Sequence, residues 1–187
     1  MTRTGWMAAL LLVLAWPLQG AAQMAGHGLG LHHGAGGAGH DEVNMPGLRG
    51  LDATPEESAE LAVMFRNFDK IERRVDNLPD GIRTVTFSED PEVMQVLVSH
   101  VAGMIARVEE GRDPQVFIQS PTLDVFFARR DEIETAIEVT EKGVVVVQTS
   151  DAPEIVEALQ VHAAEVSDMA DRGMAAVHEM MMRRAGN

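Results

Sequence analysis

The sequence predicts an α+β fold: an internally duplicated helix–β-hairpin–helix unit whose two hairpins form a four-stranded antiparallel sheet, with helices packed on one side. Three observations predict it. Shifting residues 65–111 by 62 positions lays them on residues 127–173 without a gap, and thirteen positions are then identical: Phe65/Phe127, Asp69/Asp131, Ile71/Ile133, Glu72/Glu134, Gly81/Gly143, Val85/Val147, Ser88/Ser150, Pro91/Pro153, Glu92/Glu154, Leu97/Leu159, His100/His162, Ala102/Ala164 and Gly111/Gly173. Unrelated segments of average composition would share about three, so the unit is a tandem duplication. Each copy carries a hairpin signal, Pro79-Asp80-Gly81 and Glu141-Lys142-Gly143, next to β-branched residues. Each copy also holds a long amphipathic helix opened by Pro and closed by Gly.

The elements follow in order. Residues 1–22, MTRTGWMAALLLVLAWPLQGAA, read as a secretory signal peptide: Arg3, an apolar run from Trp6 to Trp16, then Pro17 and small residues, with cleavage expected after Ala22. The run is short for a membrane span. Seven Gly fall between Gly26 and Gly39, so residues 23–53 are expected to be a disordered, Gly/His-rich leader. The duplicated domain is expected over 54–187, with repeat 1 at about 54–112 and repeat 2 at about 120–184.

Thr54, Pro55 and Glu57 form a capping-box start, and Leu61, Met64, Phe65, Phe68 and Ile71 follow at helical spacing. A hairpin is expected next, with Gly81 available for positive φ in its turn. Pro91 and Gly111 bound the second helix. Ser120 and Pro121 open a third, TLDVFFARRDEI. The second hairpin contains Val144 to Val147, an apolar run that suggests a well-buried strand. Which face of GIRTVTFS is buried stays open, because Ile82 and Val85 point opposite ways. The final helix starts near Pro153 and is expected to bend or break at Gly173.

Composition narrows the function. The 187 residues carry a net charge of −14, and removing 1–22 takes away Arg3 and no acid, leaving −15. Such a chain repels nucleic acid and anionic lipid and attracts cations and basic partners. Both Trp lie in the signal and there is no Tyr, which argues against base stacking. There is no Cys, hence no disulfide and no lipid anchor on a thiol. The expected location is the periplasm, with no stable membrane anchor.

The histidines carry the chemistry. His27, His32, His33 and His40 lie in the leader, where imidazoles on a pliable chain can wrap an ion. His100 and His162 occupy one repeat position on the apolar stripe of corresponding helices, three residues after Leu97 and Leu159. Buried His is commonly a neutral residue with a structural partner. If the repeats face each other across a pseudo-two-fold, the two rings instead converge. With Met104 and Met169 nearby they would then make a soft site for Cu(I), or ligate a haem iron. His178 and Met182, one turn apart near the end, form a further soft pair, set against a plain amphipathic helix end with Met as filler. No phosphate loop, nucleophile elbow or HExxH is present, and Ser88 and Ser150 read as helix caps.

The tandem segments PDGIRTVTFSEDPEV…SHVAGMIARVEEGR and KGVVVVQTSDAPEI…VHAAEVSDMADRGM resemble a family of exported bacterial proteins with two such repeats, some joined to c-type cytochrome domains. The resemblance covers about residues 55–178 and implies an exported location and a redox or metal setting. The chain has no Cys-x-x-Cys-His, so covalent haem attachment is excluded. The leading expectation is a non-enzymatic periplasmic metal-binding protein for copper capture or delivery, handing its ion to a periplasmic redox or metal-transfer protein. The alternatives are a haem-binding or electron-transfer accessory protein, and a non-catalytic interaction module with structural histidines.

Overall fold

The computed structural model describes residues 45–186. The signal peptide and the leader histidines His27, His32, His33 and His40 lie outside the described residues. A 3-10 turn at Pro46–Leu48 precedes the first copy: α1 (Pro55–Arg66), a 3-10 turn (Phe68–Lys70), β1 (Glu72–Leu78), β2 (Gly81–Phe87) and α2 (Pro91–Glu110). The second copy has α3 (Pro121–Ala128), a 3-10 turn (Arg130–Glu132), β3 (Glu134–Thr140), β4 (Gly143–Thr149) and α4 (Pro153–Arg172), followed by α5 (Met174–Ala185). From the Phe68–Lys70 turn to the end of α2, every boundary recurs 62 residues later.

The fold is α+β, with four antiparallel strands in the order β1-β2-β4-β3. Thr84 pairs with Val146 in the central ladder. These two are equivalent under the 62-residue shift, so a pseudo-two-fold axis passes through the middle of the sheet. The long helices are exchanged across it. α4 lies along β1 and β2 of the first copy, where Gln160 Nε2 donates to the carbonyls of Leu78 (3.1 Å) and Gly81 (3.4 Å). Gly173 abuts the Phe68 ring, and its equivalent Gly111 abuts the Arg130 guanidinium. Each helix thus ends against the other copy's 3-10 turn.

Among the described residues, helices cover one face only. On β2 that face is Ile82, Thr84 and Thr86, all buried. On β4 it is Val144 and Val146, while Val145 and Val147 are only half-buried on the opposite face. The Val run is therefore buried on one side, because among the described residues no helix lies over the other. Ile82, Phe126, Ile155, Leu159 and Ala163 form the core cluster.

Local expectations fare unevenly. The Thr54–Glu57 capping box forms, and the last helix breaks at Gly173. The first and third helices stop at Arg66 and Ala128, short of Ile71 and Ile133. In each copy the isoleucine instead caps the 3-10 turn that leads into the edge strand, and Ile133 packs against the core. Ser88 and Ser150 are not the caps themselves: the N-cap residues are Asp90 and Ala152. Each serine hydroxyl accepts the backbone N–H of its cap residue, at 3.2 Å in both copies. Gly81 is the first residue of β2 and lies outside the positive-φ region. Its role is close approach between strands.

The expected leader boundary at residue 53 is corrected. Residues 47–52 pair with the connector at 114–118, through Phe117 N–H to Arg49 O (2.9 Å) and Asp52 N–H to Pro114 O (3.1 Å). Leu48 is 1% exposed. Two leucines and two glycines in six residues are too short a run for a periodic signal, so composition alone places the segment in the leader. Leu48→Ala is expected to cost about 2–4 kcal/mol in chemical denaturation. An unchanged midpoint would return Leu48 to the leader. Among the described residues no helix is long and apolar enough to cross a membrane.

Candidate functional site

Each repeated histidine is placed by a helix whose start is fixed locally. Asp90 caps α2, its carboxylate accepting from Glu92 N (3.0 Å) and Val93 N (3.4 Å), and Pro91 follows. This sets Val93, Leu97 and His100 on one stripe. The stripe faces the sheet on one flank and α1 on the other, and His100 lies toward α1. Its Nδ1 is 3.9 Å from Glu60 Oε2. Burial pushes the His100 pKa down to about 4, partly opposed by the Glu57 carboxylate. The ring is neutral at pH 7.

His162 makes the corresponding arrangement with α3. Its ring and the Phe126 ring meet in a T-shaped contact, with centroids 5.2 Å apart. Its Nδ1 is 3.8 Å from Glu165 Oε2, beyond hydrogen-bond length, and has no hydrogen-bond partner. Glu165 accepts from the Ser120 hydroxyl at 2.7 Å. The His162 imidazole first, then Ser120, hold the Glu165 carboxyl below its ordinary range.

The carboxylates come from different places. Glu60 stands on α1, where the 62-residue shift gives Thr122 in the second copy. Glu165 stands on α4, where the first copy has Gly103. The acid has changed helix while its distance to the imidazole stays at 3.8–3.9 Å. A similar exchange occurs on the sheet. Arg73 Nη1 donates to Thr86 at 2.8 Å, whereas in the second copy the β4 residue Gln148 donates to Thr135 on β3 at 3.3 Å. The polar pairs survive duplication with their parts traded between partners.

His100 stands beside Glu60 of α1, and His162 stands beside Phe126 of α3 and Glu165 of its own helix. Among the described residues no group of three or more His, Cys, Asp or Glu is placed to hold a metal. Each ring is engaged within its own helix pair. Met104 is half-buried one turn along α2, and Met169 is half-buried on α4, at the position equivalent to Arg107. His178 and Met182 are exposed on α5, one turn apart. The repeated acids Asp69 and Glu72 line a surface crevice with Lys70, Glu89, Asp90 and Glu92, where Lys70 and Asp90 form an ion pair at 2.8 Å.

One residue escaped the sequence reading. Arg107 lies seven residues after His100 on the same stripe and is 3% exposed. A cation on an apolar stripe is itself the signal, since burying it requires partners. It binds Glu57, Asp52 and two backbone carbonyls.

No family model, curated protein or solved structure matches the chain.

Proposed function

We propose that the domain is a non-catalytic interaction module with structural histidines, engaging protein partners through its sheet. The supporting observation is the sheet face that the described residues leave uncovered. One row across it runs Arg74–Val85–Val145–Glu138, and the next runs Asp76–Arg83–Val147–Ala136. The valine centre has the acid Glu138 on the β3 side and a mixed group of Arg74, Arg83 and Asp76 toward the β1 side. That pattern suits a protein surface with an apolar centre and a basic group to meet Glu138. The histidines fit a structural role because each is held beside a carboxylate within one helix pair. A second reading, copper binding in the exported setting implied by the family resemblance, draws support from His178 and Met182, an exposed soft pair on one face of α5.

The test replaces His100 and His162 with leucine in the whole chain. Cu(I) retained against a competing chelator is expected to be the same in wild type and both variants. Loss of one tight site in either variant would overturn the structural reading. The pH dependence gives an independent check. The folded His100 ring has a pKa of about 4, below its ordinary 6.5. Between those values the unfolded chain takes up a proton that the folded chain refuses, so wild type loses stability as pH falls through this window. His100→Leu is expected to spare about 2 kcal/mol of that loss at pH 5. Its melting temperature should rise relative to wild type at pH 5 by more than at pH 7.5.

A further inference from the structure

We infer that two copies of the chain pair edge to edge through β3, antiparallel about a two-fold axis at Ile137. The inference names a partner for the sheet and so rests on reading the sheet as the binding surface. β3 is an outer strand of seven residues, ETAIEVT, without Pro, Gly or Lys to blunt it. The opposite edge, β1, carries Arg73, Arg74, Asp76 and Asn77.

The direction of the free backbone groups on β3 follows from the ladder. Ser150 N–H donates to Asp80 O at 2.9 Å, in register with the β2–β4 pairing. Even-numbered residues of β4 therefore face β2, and odd-numbered ones face β3. The β3 residues opposite those odd positions are Glu134, Ala136, Glu138 and Thr140. Thr135, Ile137 and Val139 thus turn their N–H and C=O groups to the open edge. Their side chains lie on the helix side of the sheet, where Ile137 is 40% and Val139 57% exposed. On β1 the residue equivalent to Ile137 is Val75, which packs against the core. The second copy leaves that apolar position uncovered.

Charge selects the register. Centring the pair on Ile137 overlaps all seven residues, sets Ile137 against itself, and sets Glu138 against Ala136 and Thr140 against Glu134 of the second copy. Centring on Ala136 places Glu138 opposite Glu134. Centring on Glu138 places that acid opposite itself. Facing like charges are destabilising, so the Ile137 register is preferred. It forms about six inter-chain backbone hydrogen bonds, from three hydrogen-bonded residue pairs. The contact is small, so the dimer is weak and concentration-dependent.

Sedimentation equilibrium of the whole chain tests this. Wild type is expected to dimerise reversibly. Val139→Lys puts a charge on the edge without touching its backbone and is expected to weaken dimerisation at least about tenfold. Ile137→Pro deletes an outward N–H, which an edge strand tolerates, and is expected to have the same effect. The chain has no cysteine, so Ile137→Cys supplies a single thiol. In the proposed register the two Cα atoms lie about 5.5 Å apart, within disulfide reach. Mild oxidation should give a covalent dimer, whereas Glu138→Cys, facing Ala136, should not. A wild-type chain that stays monomeric, a dimer indifferent to Val139→Lys, or equal cross-linking at 137 and 138 overturns the inference. Copper lost from the histidine variants would overturn the underlying functional reading and leave the sedimentation result unmoved, so the two failures are distinguishable.

Discussion

Gly81→Ala and Gly143→Ala are each expected to cost more than about 4 kcal/mol, most of the stability of a domain worth about 5–15 kcal/mol. At Gly81 an added Cβ would lie 1.9 Å from the Gln148 carbonyl oxygen. At Gly143 it would lie 2.3 Å from the Thr86 carbonyl oxygen, and φ there is +115°. Gln148 and Thr86 are themselves equivalent under the 62-residue shift. Each glycine opens a central strand where the other central strand crosses closest to it, and the pseudo-two-fold makes the requirement twice. Neither obstacle is a flexible side-chain tip, so the β2–β4 ladder would have to part. Gly103→Ala is the contrast: its Cβ meets nothing within 4 Å. In a helix interior that change should stabilise by up to about 1 kcal/mol. Urea denaturation followed by circular dichroism measures all three. A Gly81→Ala variant that costs no more than about 1 kcal/mol, the typical cost of an ordinary substitution, would refute the close approach.

These glycines show how much of the fold was legible. Both stood out as identical repeat positions beside turn residues, which located the hairpins. Their physical role was not visible, since it depends on how the two hairpins meet. The same limit applies to β2. Alternation separates Ile82 from Val85, but only the helices decide which of them is buried. The helix exchange left no trace in residue spacing, because α4 reads the same over either hairpin. For the histidines, spacing specified the apolar stripe and not the neighbour each ring meets. The stripe of α2 touches both α1 and the sheet, and His100 turns toward Glu60. The exchange of the carboxylate between Glu60 and Glu165 was hidden for a similar reason. Residues that coincide in space need not coincide in the alignment of the repeats.

Arg107→Ala is expected to cost about 3–5 kcal/mol. The guanidinium is 3% exposed and holds three pieces of chain together. Nε and Nη2 donate to the two Glu57 oxygens at 2.5 and 2.8 Å. Nη1 donates to Asp52 Oδ2 at 2.9 Å and to Arg112 O at 3.0 Å, and Nη2 to Asp52 O at 2.8 Å. Glu57 also accepts from Thr54 N at 2.8 Å, closing the capping box of α1. Removing the fork leaves a half-buried carboxylate and two carbonyls without their donor. The second copy suggests a rescue, since it has Met169 where the first has Arg107, and Gln119 where the first has Glu57. Arg107→Met alone should be nearly as damaging as the alanine change. Adding Glu57→Gln removes the charge left behind, and the pair should show a coupling of at least about 2 kcal/mol. The pH profile supplies a second signature. The Arg107 hydrogen bond holds the Glu57 carboxyl below its ordinary 4.5. Its contribution is therefore complete above pH 4.5 and lost as pH falls through the lower folded value. Wild type should lose stability in that acid range, and Arg107→Met should lose less. Strictly additive single changes, or the same acid slope in both proteins, would mean that Arg107 acts by filling space and that its charge is incidental.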